Sequence, residues 1–326
     1  MRVAQHDGAV LTLTGASTFA QAISRCPLRY VLSDLVTQNC ASLAYSDGMT
    51  LAQCFDLLRL PAEKFWIEWR DLPRQQELER CFESMRRQDP EPAGLQAGAW
   101  VQGNASGRSG TLRTFWVSAE TAGDPQVSPL ITYFDFDAPQ PQPRSMDALF
   151  DGEAIALDVT DELAVSLSAA EAGMSTLLAF MRFRLDRTWL DYYQRYARST
   201  QARREVLLRN LSTVATDLPV VIAFTMLLNA RGGVDLRQSD LARLNRARSR
   251  HGKPPLLDHI EVAMRLNAAD SAPQHDALCS GRRTPRFHHV RGHLVRRADQ
   301  VFWRSPHWRG ELRLGQIRSR TVNVHA

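Results

Sequence analysis

Three runs rich in β-branched and aromatic residues constrain the fold more than any other feature of the sequence: Ala97 to Gly103, Thr111 to Ala119 and Pro129 to Phe136. Such residues fit a pleated surface. The first two runs are joined by Asn104-Ala-Ser-Gly-Arg-Ser-Gly110, a turn-forming stretch, so they read as a β-hairpin. Gly103, Gly107 and Gly110 lack the Lys-Ser/Thr of a phosphate-binding loop and belong to that turn.

On either side the pattern is helical. Residues 1 to 92 read mainly as helix: Leu51, Cys54, Phe55 and Leu58 recur at helical spacing after a turn at Asp47-Gly48, and Pro61 closes them. Pro139-Gln-Pro-Gln-Pro-Arg144 reads as a semi-rigid linker or edge loop. Helix returns from Thr160 to Gly232, with Leu177, Phe180, Met181 and Arg184 leading into Trp189, Tyr192, Tyr193 and Tyr196. Pro219 suits the first position of a helix ending at Ala230, stopped by Gly232-Gly233. Ser239 is expected to cap a helix through Arg250, ended by Gly252. Ile260, Val262 and Met264 alternate as a strand, and Asn267 to Gly281 is a polar loop. Three short β-like runs follow, at Arg286 to Arg297, Val301 to Arg304 and Gly315 to Val324. The expected fold class is α+β: a mixed helical and antiparallel-β body over 1–145, a helical middle over 146–232, and a small basic α+β module over 233–326.

The longest apolar stretch, Leu218 to Leu228, is far short of the roughly 20 residues a membrane span requires, so a membrane location is not expected. The start, MRVAQHDGAV, lacks a signal-peptide pattern. Five widely spaced cysteines without a C-x-x-C pair suit reduced thiols in a cytoplasm.

Charge is distributed unevenly. The chain carries a formal +5, yet residues 231–326 hold 18 Arg and one Lys against 8 Asp and Glu, a formal +11. Residues 1–230 hold 21 basic and 27 acidic residues, a formal −6. A basic segment on an acidic body marks a module for nucleic acid or another anionic partner. From Gly281 onward, 11 arginines face only Asp299 and Glu311, too few acids for internal pairing. Arginine forks match phosphate oxygens, and interleaved aromatics offer stacking faces for bases. The residues expected to contact nucleic acid, whether DNA or RNA, are Arg246, Arg250, Lys253, Arg291, Arg296, Arg297, Trp303, Arg304, Trp308 and Arg309. The bland alternative makes Phe287, Val290, Phe302 and Trp303 a small β core with the arginines as its solvated face.

Other chemistry fits the same residues less closely. Strand alternation through Arg286 to Arg297 puts His289, Arg291 and His293 on one face, and His307 follows. Metal-independent RNA cleavage needs a base, an acid and cations for the phosphorane, roles that His289, His293 and His307 with Arg291 and Arg309 could fill. The helix-then-sheet order is analogous to that of bacterial messenger-RNA interferase toxins. A zinc site from Cys279, His288 or His289, His293 and His307 lacks a closed ligand spacing. Asp135 and Asp137 could hold a divalent metal, although such pairs are more often turn formers. No cofactor is called for. On the helix from Ser239 to Arg250, Arg243, Arg246 and Arg250 share a face that could enter a major groove. Nothing upstream reads as a helix-turn-helix partner, and a solvated face with Leu241 and Leu244 packed inward is the expectation.

Leu244-Asn-Arg-Ala-Arg-Ser-Arg-His-Gly-Lys-Pro-Pro-Leu256, Arg286-Phe-His-His-Val-Arg-Gly-His293 and Phe302-Trp-Arg-Ser-Pro-His-Trp-Arg-Gly310 stand in that order. Together they resemble a family of uncharacterised phage and prophage proteins that join an L-N-x-x-R-x-x-x-G-K-x-P-L segment to an R-G-H-x-R and W-x-x-P-h-x-x-G tail. The resemblance covers about residues 219 to 324 and implies a phage or mobile-element origin and action in a bacterial cytoplasm. It supplies no catalytic residues. The expected function is non-enzymatic nucleic-acid binding; the alternatives are an endoribonuclease and a virion or host-interaction protein that docks an acidic protein partner.

Overall fold

The β-branched runs pair as their composition dictates. In the computed structural model, described over residues 21–46, 48–81, 96–117, 126–138, 146–154, 177–196, 200–253, 255–265, 286–309 and 311–316, they form β3 (Gln96–Gly103), β4 (Ser109–Val117) and β6 (Leu130–Asp135). β3 and β4 are an antiparallel hairpin in which Gly103 faces Gly110, and β6 continues the sheet from β4. The Pro139 to Arg144 linker, the Asn267 to Gly281 loop and the helical reading of residues 160–176 lie outside the described residues.

The sheet is larger than the sequence pattern indicated. It has nine strands, with β1 (Leu28–Leu32), β2 (Lys64–Arg70), β5 (Gln126–Val127), β7 (Met181–Leu185), β8 (Val234–Gln238) and β9 (Ile260–Met264) added, in the order β7-β6-β4-β3-β2-β1-β9-β8 with β5 on β4. β1 runs parallel to both β2 and β9, and the other pairings are antiparallel. The described part of residues 1–92 is mainly helical, and β1 and β2 are strands that this reading did not include. Trp66, Ile67 and Trp69 are buried with their strand neighbours because β2 is covered on both faces, so it lacks the alternation of a half-exposed strand. Met181 to Leu185 is likewise strand and not helix: Met181, Phe183 and Leu185 are buried while Arg182 and Arg184 point to solvent.

Beyond residue 232, β8 and β9 extend the sheet that includes β1. Helices α1 (Asp34–Ser46) and α5 (Thr200–Asn229) pack on the sheet, α3 (Leu72–Cys81) packs on α1, and the single turn α2 (Gly48–Ala52) follows α1. Leu51, Cys54, Phe55 and Leu58 are all buried as their spacing indicated, though on α2 and the 3₁₀ turn Phe55–Leu57 instead of one helix. α4 (Arg187–Tyr196) follows β7. Tyr30 of β1 stands edge-on to Phe224 of α5 at 5.3 Å.

Pro219 lies inside α5, not at its start. A proline there removes one backbone donor and crowds the preceding turn. Tyr45 of α1 donates its hydroxyl proton to the Thr216 carbonyl at 2.7 Å, in the turn that Pro219 disturbs, and the surrounding burial of Leu211 and of Val214 to Leu227 holds the helix together. No helix among the described residues is long and apolar enough to cross a membrane.

The chain ends in β10 (Arg286–Val290), the hairpin β11 (His293–Arg297) and β12 (Gln300–Arg304), β13 (His307–Arg309) and β14 (Glu311–Gln316). Leu294, Val301 and Trp303 join the main core, so this hairpin is packed on the body and does not form a core of its own.

Candidate nucleic-acid interface

The expected cationic face separates into two patches at opposite ends of the β8–β9 hairpin, about 13 Å apart along β8. At the start of β8, the Arg231 amide donates to the Val301 carbonyl at 2.9 Å and the Trp303 amide to the Arg231 carbonyl at 3.0 Å, which docks β12 there. Beyond Gln238 at the other end comes α6 (Ala242–Arg250).

In the C-terminal patch two of the expected contacts, Arg296 and Arg297, have partners of their own. Arg296 donates to both carboxylate oxygens of Asp56, at 2.7 and 2.6 Å, and to the Gln53 carbonyl at 2.6 Å. The Asp56 turn is itself fixed by Arg108, whose buried guanidinium donates to the carbonyls of Phe55, Leu58 and Phe136. The hydrogen bond from Arg296, with its charge, holds the Asp56 carboxyl below its ordinary pKa despite some burial. Arg297 and Arg231 both lie over the Phe302 ring, each 5.8 Å from its centroid. Arg291 is exposed, and its charge is felt by Glu77 and Cys81 of α3. Arg304 is exposed as expected. The side chains of Trp308, Arg309 and His289 lie outside the described ones.

Trp303 corrects the sequence reading. Its side chain is 5% exposed and wedged against Gly292, so it has no face to offer a base. Together with Leu294 and Val301 it is the apolar underside of the hairpin. Phe302, on the opposite side of the strand, is covered by the two arginines.

The histidines do not share one strand either. The chain breaks its strand at Arg291-Gly292, so alternation does not carry from His289 to His293. His289 pairs with Trp308 and His307 with Val290, adjacent ladder positions of opposite parity, while His293 pairs with Arg304 in a separate two-stranded sheet. His293 Nδ1 and His307 Nδ1 each meet the carbonyl two residues earlier, Arg291 at 3.0 Å and Ser305 at 3.1 Å. Asp135 accepts the Asp137 amide at 3.0 Å and Asp137 pairs with Arg108, the arrangement of a turn former. No group of three or more His, Cys, Asp or Glu among the described residues is placed to hold a metal ion.

α6 is the unencumbered element. Ser239 does not cap it: Leu241 stands at the cap position, and Asp240 accepts the Ala242 amide at 3.2 Å. Its end follows from Gly252, which sits at φ 65° where a side chain would be strained. There the Lys253 amide reaches the Arg248 carbonyl at 2.9 Å and the Gly252 amide the Ser249 carbonyl at 3.1 Å, a Schellman motif. Asn245 clamps the returning chain, donating to the Leu256 carbonyl at 3.0 Å and accepting the Leu256 amide at 2.7 Å. Ser239 and His259 close the base with two bonds, at 2.9 and 3.0 Å. Arg29 adds a bond to the Asp258 carbonyl at 2.6 Å.

No residue of α6 is buried. Leu241, Asn245 and Arg248, four and three apart, are half-buried and form the inward face. Arg243, Arg246 and Arg250 lie on the other side, exposed, and Lys253 is exposed beyond them. Leu244, expected inside, is 48% exposed, because the clamp at Asn245 rotates it outward. α6 contains no acidic residue, and no carboxylate among the described residues pairs with Arg243, Arg246, Arg250 or Lys253.

No protein-family model matches this chain, and neither a curated protein nor a solved structure is similar to it.

Proposed function

We propose that the protein binds nucleic acid through the exposed cations of α6, with Arg291, Arg297 and Arg304 of the C-terminal hairpin as auxiliary phosphate contacts. One observation carries this reading: a helix with nothing buried holds Arg243, Arg246 and Arg250 on its outer face with no acid on the helix to offset them. Like charges three and four residues apart destabilise a helix by a few tenths of a kcal/mol per pair. Burial does not compensate here, so an external polyanion is the natural counter-charge. The protein acts by binding alone; the endoribonuclease alternative has three histidines spread over separate ladder positions. A phage or prophage origin, implied by the resemblance in residues 219–324, suits a small binding protein at work in a bacterial cytoplasm.

The test is binding of labelled DNA and RNA across a salt series. Engagement of the four exposed cations of α6 and its C-terminal end predicts a log–log slope of about −3 to −4, and each auxiliary contact that forms steepens it by up to about 0.9. Changing Arg243, Arg246 and Arg250 to Ala should flatten that slope by about 3. Absence of any complex at low salt refutes the reading.

A further inference from the structure

We infer that the ligand of α6 is double-stranded DNA, entered through its major groove, and not single-stranded nucleic acid or duplex RNA. The inference rests on the proposed nucleic-acid function and narrows it. Proteins that hold single strands combine a basic groove with aromatic faces on which bases stack. The large apolar side chains exposed among the described residues are Leu35, Leu72, Leu236 and Leu244, and no aromatic is among them. Trp303 is buried, and Phe302 is beneath Arg231 and Arg297. The described basic surface therefore has cations without an exposed Trp, Tyr or Phe on which bases could stack.

What it presents instead has the dimensions of a groove reader. Arg243 to Arg250 covers about 10 Å of helix axis. The B-form major groove, roughly 12 Å wide, admits a single α-helix, whereas the A-form major groove is too deep and narrow for side chains to read. Half-buried Leu241, Asn245 and Arg248 turn toward the body, so the opposite stripe of Arg243, Arg246, Ala247 and Arg250 is the one free to enter. Exposed Leu244 flanks that stripe, where an apolar group suits a thymine methyl. α6 sits in the connection between β8, an outermost strand of the sheet, and β9, so no described strand flanks it beyond β8. The connection is pinned at Ser239–His259 and Asn245–Leu256, so the helix is presented in a fixed pose without a helix-turn-helix partner.

The experiment compares labelled duplex DNA of roughly two helical turns, duplex RNA of the same sequence, and one DNA strand alone, at matched ionic strength with the full chain. Duplex DNA should bind tighter than either competitor by roughly tenfold, the scale of a single bidentate groove contact. R243E/R246E/R250E should abolish that preference while leaving the circular-dichroism spectrum and melting temperature unchanged, since none of the three is packed. Equal or tighter binding of the single strand or of duplex RNA overturns the duplex inference and leaves nucleic-acid binding intact. Binding of none of the three overturns both. Retention of the duplex preference in the triple variant overturns the assignment to α6.

Discussion

Arg296 of the C-terminal hairpin and Asp56 of an N-terminal 3₁₀ turn form a two-point ion pair, 240 residues apart in sequence, with side chains 40% and 55% exposed. The pair shows that positive charge in the basic segment is partly neutralised by the acidic body. Arg296 is thus spent on a contact within the protein, although its sequence neighbourhood suggested a phosphate. Asp56→Asn should release it. The salt dependence of nucleic-acid binding is then expected to steepen by up to about 0.9 in log–log slope, one more phosphate contact. Arg296→Ala in the wild-type background should leave the slope unchanged. A slope that falls on Arg296→Ala would mean that Arg296 contacts phosphate despite Asp56.

Trp303 and Gly292 make a second prediction about the same hairpin. A methyl group at Gly292 would collide with the buried indole of Trp303 and come within 3.1 Å of the Pro306 ring. Gly292→Ala should therefore cost about 1–3 kcal/mol through overpacking. Trp303→Ala should cost about 3–5 kcal/mol through the cavity it leaves. Trp303→Phe should cost less, because the indole N–H has no partner among the described residues to lose. None of these folded variants should lose nucleic-acid affinity, and urea titrations alongside binding curves decide it. Weaker binding by a fully stable Trp303→Phe protein would return Trp303 to the interface.

The legible parts of the fold were those with local signals. β3, β4 and β6 announced themselves by composition, and the Asn104 to Gly110 turn joined two of them in the right register. β7 was misread because Met181-Arg-Phe-Arg-Leu185 is only five residues long, and Leu177, Phe180, Met181 and Arg184 also fit a helical spacing. The pairing of Tyr30 with Ile260 had no local signature, since parallel partners 230 residues apart leave no turn to read. At the candidate site, the arginine spacing on α6 was visible, but its outward direction was not. That direction depends on the Asn245 clamp at Leu256, a contact that sequence spacing does not reveal. The burial of Trp303 was equally hidden, because alternation assigns two faces to a strand without saying which one meets the body.

A buried ionic cluster leads to a pH prediction. Arg74 donates to both oxygens of Asp71 at 2.6 Å, and Asp217 of α5 lies 3.3 Å from the same guanidinium while accepting the Trp116 indole N–H at 2.8 Å. Burial, reinforced by the Asp71 charge and opposed by Arg74, pushes the Asp217 carboxyl up to about 7. In the unfolded chain it would titrate near 4, roughly the ordinary aspartate value. Between those values the folded protein keeps a proton that the unfolded chain has released, so stability falls as pH rises from about 4 to about 7. Asp56, Glu77 and Asp186 are shifted down and act oppositely, withdrawing stability only in acid. Asp217→Asn can still accept the Trp116 proton and should remove the decline, so the variant gains on wild type as pH increases toward 8. Parallel melting curves for the two proteins from pH 5 to 8 would contradict the assignment.

Asn245 is where fold and proposed function meet, and its removal should separate them. Its side-chain amide makes both bonds to the Leu256 backbone that a strand neighbour would make, and α6 buries nothing that could substitute for them. Each such bond contributes about 1 kcal/mol net, here to a local element and not to the core. Asn245→Ala should therefore leave the global melting temperature nearly unchanged while the Leu256 amide exchanges faster, because the connection opens without global unfolding. Nucleic-acid affinity should fall with it, since Arg243, Arg246 and Arg250 lose their fixed pose although all three charges remain. A large drop in melting temperature would show that α6 is integral to the core. Unchanged affinity with a faster-exchanging Leu256 would show that the pose of the helix is irrelevant to binding, and charge alone would then account for the interaction.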